Sequence, residues 1–211
     1  MKKFLSAAVI VCFTLPAKAQ QETVKSNSYL TFRAGANYTN VKVDGDKYHK
    51  TVPVVTAAVG TKQTGGNSGI GDFRIEAELA LFGNFKETEL DGTDRIEYKQ
   101  NAVNVSFNLL KDFKGENVTL YVGAGAGVAV FFDELKYDIT VGARRYVGLE
   151  EKSNAVLNAN LQAGLTFPVT DTVSFDVNAR YTYFDTYKIF NDTIKIQNSA
   201  VNVSAGLRLA F

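Results

Sequence analysis

Few side chains in this 211-residue sequence are equipped for chemistry. There is one histidine, His49, and one cysteine, Cys12. A histidine base needs a hydroxyl or carboxylate within hydrogen-bond reach, and no local motif around His49 offers one. It reads as a solvated loop residue, and a lipid-modifying enzyme built on it is the remote alternative. A zinc or redox site needs several His or Cys ligands, more than this chain has. The adjacent acids Glu150 and Glu151 have no apolar pocket around them to perturb them. Gly123-x-Gly125-x-Gly127 lacks the spacing and the following helix of a dinucleotide fingerprint. The expectation is therefore no catalytic residue, no cofactor and no metal. The charged residues worth following are Arg33, Arg74, Glu76, Glu78, Asp176, Arg180 and Arg208, because each sits within a run of alternating apolar residues.

Composition narrows the class. The chain is 45% hydrophobic, 12% aromatic and 21% charged, too apolar for a disordered segment. A net charge of +1 with no basic patch argues against nucleic acid as a partner. Met1-Lys2-Lys3 is a short positive start, Phe4 to Leu15 is mostly apolar, and Ala17-Lys18-Ala19 has small residues at both recognition positions of a cleavage site. That pattern predicts a secretory signal peptide over 1–19, cut near Ala19. The apolar stretch is too short to span a membrane as a helix. Cleavage would leave one domain, 20–211, without cysteine. An exported chain without disulfides must hold its fold by other means.

Residues 20–211 alternate with a period of two, the period of a strand. Phe73, Ile75, Ala77, Leu79 and Leu81 share one parity, while Arg74, Glu76 and Glu78 share the other. Leu30 to Tyr38, Pro53 to Val59, Val103 to Leu109, Val118 to Phe132, Ala155 to Phe167, Val173 to Tyr183 and Val201 to Phe211 repeat the plan. That makes eight strands, each about as long as a tilted membrane-spanning strand needs. The connectors alternate between short or glycine-rich turns, as at 65–69, 114–116 and 168–171, and longer charged hairpins. Three of the four hairpins carry tight-turn pairs: Asp44-Gly45, Asp91-Gly92 and Asn191-Asp192.

Alternation alone does not say which face points inward. Volume does, because an eight-stranded barrel has room inside for little more than its own side chains. The apolar set would overfill that space, while Gly, Asn, Ser and Thr would fit. Aromatics agree: Phe73, Phe167 and Phe211 stand at one end and Tyr38, Phe85, Phe132 and Tyr183 at the other, all of apolar parity. From Phe73 to Phe85 a strand climbs roughly 30 Å at about 3.3 Å per residue and a tilt of about 40°, which matches an apolar band with its two aromatic girdles.

The final strand ends on Phe211, preceded at alternate steps by Leu209, Leu207, Ala205 and Val203. This resembles the assembly signal of bacterial outer-membrane barrels. Residues 73–79, 120–127 and 176–183 resemble the small porin-family barrels, the opacity-protein and OmpA-like group. The resemblance implies an all-β, eight-stranded antiparallel up-and-down barrel in the outer membrane of a Gram-negative cell. Both termini and the shorter turns would then be periplasmic, with the long hairpins outside. It further implies outer-membrane lipid around the wall, and recognition of the Phe211 strand by the barrel assembly machinery.

On that frame the seven charges above point into the lumen and must pair. A charge-plugged barrel is the favoured expectation, and a narrow pore for ions or small solutes is the alternative. The hairpins present Tyr48, Tyr137, Arg144, Arg145, Tyr146, Tyr187 and Phe190, anchor types suited to an extracellular protein partner.

Overall fold

The computed structural model describes residues 27–43, 45–63, 72–91, 94–142, 144–189 and 194–211. The leader with its Ala19 site, the 65–69 connector, Asp44, Gly92, the 191–192 turn and Phe190 lie outside the described residues.

The strands are β1 Ser28–Val43, β2 Asp46–Gln63, β3 Asp72–Asp91, β4 Asp94–Lys114, β5 Thr119–Val141, β6 Arg144–Pro168, β7 Val173–Phe184, β8 Tyr187–Ile189 and β9 Ile194–Ala210. Each of β1 to β7 pairs antiparallel with the next, and β7 pairs with β9. β1 also pairs with β9 from Tyr29↔Ala210 to Val43↔Ile196, so the sheet closes on itself. Eight strands form the ring; β8 carries β7 onward past a break at Asp185-Thr186 and pairs with β9 alone. Closure leaves no free backbone edge within the ring.

One end of the barrel holds Ser28, Phe211 and the two tight turns after β4 and β6, as in the bond from Gly115 N–H to the Val118 carbonyl at 2.8 Å. The other end holds the hairpins. Gly45 (φ 108°) and Gly142 (φ 65°) make the β1–β2 and β5–β6 turns there, in a backbone region that only glycine adopts freely.

The wall is apolar outside and polar inside. Leu161 is 65% exposed, and Leu79, Phe107, Val203 and Leu207 are exposed with it, whereas Arg74 is 1% exposed and Glu76, Glu78 and Asp176 are buried. A monomer in water rarely shows a continuous apolar band; hydrocarbon requires one.

Two irregularities break the alternation towards the hairpin end. On β3, Phe82 faces Ala102 but Phe85 faces Gln100, so three residues advance against two. This bulge at Gly83-Asn84 reverses the parity of everything beyond it. Phe85, expected in the upper girdle, is therefore buried inside at 3% exposure, while Asn84 faces out. Past Tyr183↔Ser199 the β7–β8 line likewise gains one residue before Tyr187↔Ile196. Tyr187, expected on an exposed hairpin, is turned inward and is 7% exposed.

The ladders also divide there. β2 and β3 stop pairing at Val54↔Phe82, and β6 and β7 stop at Asn158↔Phe184. Beyond the ring the hairpins thus form two half-sheets, β8-β9-β1-β2 and β3-β4-β5-β6. One lysine crosses each gap: Lys50 Nζ donates to the Lys86 carbonyl, and Lys152 Nζ to the Lys188 carbonyl at 3.2 Å.

The orientation of the wall yields a prediction. Leu161→Arg places a charge on the middle of the outer wall and should cost about 2–4 kcal/mol of folding free energy in lipid vesicles. Val147→Arg, on a hairpin beyond the ring, should cost roughly 0–1 kcal/mol. Equilibrium urea unfolding of both variants checks this, and equal costs would contradict it.

Candidate functional site

The lumen is layered. The layer nearest the termini is charged. Arg33 Nε donates to Asp176 at 2.6 Å and its Nη1 to Glu78 at 3.2 Å. Arg180 Nη2 donates to Glu78 at 2.7 Å and to Gln162 at 3.0 Å. Arg74 reaches Asp112 at 2.7 Å and Glu76 at 3.2 Å, and Arg208 reaches Asp176 at 2.6 Å. Four arginines thus meet four carboxylates, counting Asp112 (Glu76, Glu78, Asp112 and Asp176), and the formal charge cancels. Cancellation is the condition for enclosing charge, because an unpaired buried ion costs several kcal/mol. Tyr29 donates to Glu76 at 2.7 Å and Tyr121 to Asp176 at 3.1 Å. Their rings also carry the guanidiniums, Arg74 lying 4.5 Å from the Tyr121 centroid and Arg208 4.9 Å from that of Tyr29.

Glycine makes room for those tyrosines. Tyr29 is paired in register with Gly60, and Tyr121 with Gly164. A Cβ on either glycine would run into the tyrosine ring. Gly125 has another use: a Cβ there would lie 2.7 Å from the Asn160 amide nitrogen. Asn160 Nδ2 donates to Asn108 at 3.1 Å, and Asn158 Nδ2 to Asn104 at 2.7 Å, which forms a second layer of neutral polar pairs. The space left by Gly125 therefore goes to asparagine.

The third layer is apolar. Phe131 meets Phe184 edge-on at 5.2 Å and stacks on Tyr187 at 5.4 Å, with Phe85, Val52 and Ala200 in the same cluster. A void of about 20 Å³, room for one water, lies beside the β3 bulge within this layer, lined by Val52, Phe82, Phe85, Phe131 and Phe184 with Asn37 and Asn198. The Tyr187 hydroxyl accepts from Gln100 at 2.7 Å, and Tyr98 donates to Asp133 at 2.5 Å.

Six of the seven expected lumen charges are buried, and Arg208 is nearly so at 11% side-chain exposure. Asp112, Tyr29, Tyr121 and the aromatic layer were not anticipated. Parity marks Asp112 with Asn104, Ser106 and Asn108, and Tyr29 with Thr31 and Arg33. Of the expected girdle, Tyr38, Phe132, Phe167, Tyr183 and Phe211 are exposed and Phe73 is half-buried, leaving Phe85 as the exception. On the hairpins, Tyr48, Arg144, Arg145 and Tyr146 are exposed and Tyr137 is half-buried across Gly148. Arg145 makes a two-pronged pair with Asp138 at 2.7 and 2.5 Å. His49 stacks on Tyr38 at 5.6 Å and pairs across the ladder with Asn40.

Residues 5–208 match the family described as outer membrane protein beta-barrel domain. The chain belongs to this family. Membership places it in the outer membrane, with the apolar wall against lipid. No curated protein matches the chain. Among solved structures, a major outer membrane protein of Thermus thermophilus is similar with a TM-score of 0.50 at 11% identity, over 87% of this chain and 99% of that one. Neisserial surface protein A has a TM-score of 0.49 at 18% identity, over 88% and 98%. The attachment invasion locus protein of Yersinia pestis has 0.46 at 18%, over 87% and 99%. At such identities the Thermus likeness bears on the fold alone.

Outside the lipid-facing zone of this outer-membrane barrel, Glu97 is ringed by cations. Lys99 lies at 3.1 Å, Lys86 at 3.1 Å and Arg95 at 2.9 Å. Lys99 first and then Lys86 lower its pKa from the ordinary 4.5 to about 2. The pair energy of a lowered carboxylate is complete above the ordinary value and is lost as pH falls through the folded one. Carbon NMR of the Glu97 carboxyl should therefore stay flat from pH 7 to roughly pH 4 and titrate near 2. A midpoint close to 4.5 would mean the cations do not gather there.

The lumen makes a second prediction. Asp176→Asn leaves Arg208 without its carboxylate and Arg33 with only its Glu76 and Glu78 contacts, and should cost about 3–5 kcal/mol. Adding Arg208→Gln restores neutrality and should recover part of the loss, a coupling of at least about 1 kcal/mol in a double-mutant cycle. Urea unfolding in vesicles measures both, and additive losses would contradict a coupled network.

Proposed function

We propose that this outer-membrane barrel is a surface-interaction protein. It docks an extracellular protein along the strand edges of its hairpin end, and its lumen serves as a structural plug rather than a conduit or a catalytic site. The orientation that supports this puts the termini in the periplasm and the hairpins outside the cell. Lipid surrounds the wall, and the strand ending at Phe211 is what the assembly machinery recognises.

The observation that carries the reading is the open edge of β6. From Arg144 to Val156 that strand is laddered to β5 on one side only; on the other, Asp185 N–H donates to the Leu157 carbonyl at 2.8 Å and the ladder with β7 starts at Asn158. Tyr146, Val147 and Leu149 stand beside this edge, with Val147 70% exposed. An unpaired edge offers backbone donors and acceptors to an added strand, and neighbouring apolar side chains supply selectivity. The layered lumen favours the plug, because paired charges, asparagine pairs and an aromatic cluster follow one another along it, and the void within the aromatic cluster is about 20 Å³.

Two measurements test this. In planar bilayers the protein should give no steady conductance; steady current altered by Arg180→Gln would establish a pore instead. Cells displaying the protein should adhere to at least one member of a panel of immobilised extracellular proteins. Val147→Lys with Leu149→Lys, which blocks the edge, should abolish that adherence while leaving barrel assembly intact. Adherence indifferent to the blocked edge, or no adherence above cells without the protein, would contradict the proposal.

A further inference from the structure

Above the aromatic layer the two half-sheets line a half-open, mainly apolar cavity of about 390 Å³. Its floor is Phe85 with Val41 and Ile196, all buried. Val43 and Ile194 wall one side, and Ile96 and Leu135 the other. None of these residues belongs to the charged lumen, and none lies on the β6 edge. The cavity exists because the β3 bulge turns Phe85 inward while β1, β4, β5 and β9 keep their parity, so apolar inner faces meet where the ring has already split.

The lining defines the chemistry of an occupant. The volume falls within the roughly 300–1,000 Å³ of small-molecule sites, and such sites are mostly apolar with a few polar groups at fixed places. Here those groups are Tyr48, Thr88, Glu87 and Tyr98. Glu87 is paired with Lys50 at 3.5 Å, and the Tyr98 hydroxyl is turned to Asp133 at 2.5 Å. No free charge therefore faces inward from this lining. The walls are ladder-paired strands, β9-β1-β2 on one side and β3-β4-β5 on the other. A peptide backbone inside would find no partners, and burying it unpaired is costly.

The geometry points to a binding site for a small, uncharged, mainly hydrocarbon molecule: a short chain or fused ring with at most one hydroxyl or carbonyl. Its apolar body lies on Phe85, Val41 and Ile196. Its polar end reaches the Tyr48 and Thr88 hydroxyls beside the β2–β3 gap, where the absent ladder gives a way in.

Isoleucine methyl NMR of the full barrel in lipid nanodiscs tests this, with naphthalene and 1-octanol as the probes. Ile96, Ile194 and Ile196 report on the cavity, while Ile75, exposed on the outer wall, reports on partition into lipid. Saturable shifts at the three cavity methyls, with no saturation at Ile75, are expected for both probes. Leu135→Trp and, independently, Ile96→Trp fill the cavity and should weaken saturable binding by more than about tenfold. An unchanged Ile75 signal verifies that each variant is folded. Shifts that rise without saturating at all four methyls would reduce the effect to partition and overturn the site. Saturable binding that survives both fillings would overturn it as well.

Discussion

Inside a hydrocarbon layer a backbone amide has no water to turn to. Every N–H and C=O that crosses must find its partner in the protein. This chain meets that demand by closing β1 onto β9, and most of its other features follow from the closure. A ring of eight strands has a narrow interior, so what points inward must be small, paired or both. The charged layer is paired: Arg33 meets Asp176 across 143 positions of sequence, and Arg180 meets Glu78 across 102. Such pairs exist only once the ring is closed in the correct register. A slip of one residue would carry arginine to the lipid and leucine to the lumen. The network thus depends on closure, and it penalises any closure that is misaligned.

The same alternation is put to the opposite use at the hairpin end. Two single-residue insertions, at Gly83-Asn84 and at Asp185-Thr186, exchange the faces beyond them. An aromatic that would have met lipid becomes the cap of the lumen, as Phe85 does, and Tyr187 joins it. The ladders then part, because beyond the bilayer an unpaired backbone can hydrogen-bond to water. The result is a closed cylinder below and two half-sheets above. The half-sheets have open edges and an apolar hollow between them, and both proposed binding surfaces lie in this upper part.

Much of the ring was legible in the sequence, because its signal is local and periodic. Residues 73–81 declare their two faces without any knowledge of the neighbouring strands, and the volume of the lumen decides which face is inside. What escaped needs information from across the sheet. A bulge is invisible in a single strand: Phe85 has the parity of Phe73, and only its pairing with β4 shows that the count has shifted. Tyr187 was misplaced for the same reason. Gly60 and Gly164 look like weak strand residues until Tyr29 and Tyr121 are seen lying across them. The selected charges reached the lumen, yet Asp112 went unnoticed because its run was read only as far as Leu109. The upper cavity could not be anticipated, since its apolar residues lie on five strands that meet only in three dimensions.

The central claim is that the apolar face touches lipid tails while the opposite face is enclosed and cut off from bulk water. Methyl relaxation on the unmodified protein in nanodiscs tests it most directly, using a nitroxide carried on a lipid chain and a gadolinium chelate confined to water. Leu79, Leu161 and Leu207 should broaden with the lipid nitroxide alone. Leu110 and Val54, buried inside the ring, should respond to neither agent and show no exchange with water. Contact of the chelate or of bulk water with Leu110 and Val54 would contradict the account, and so would lipid broadening at those two methyls.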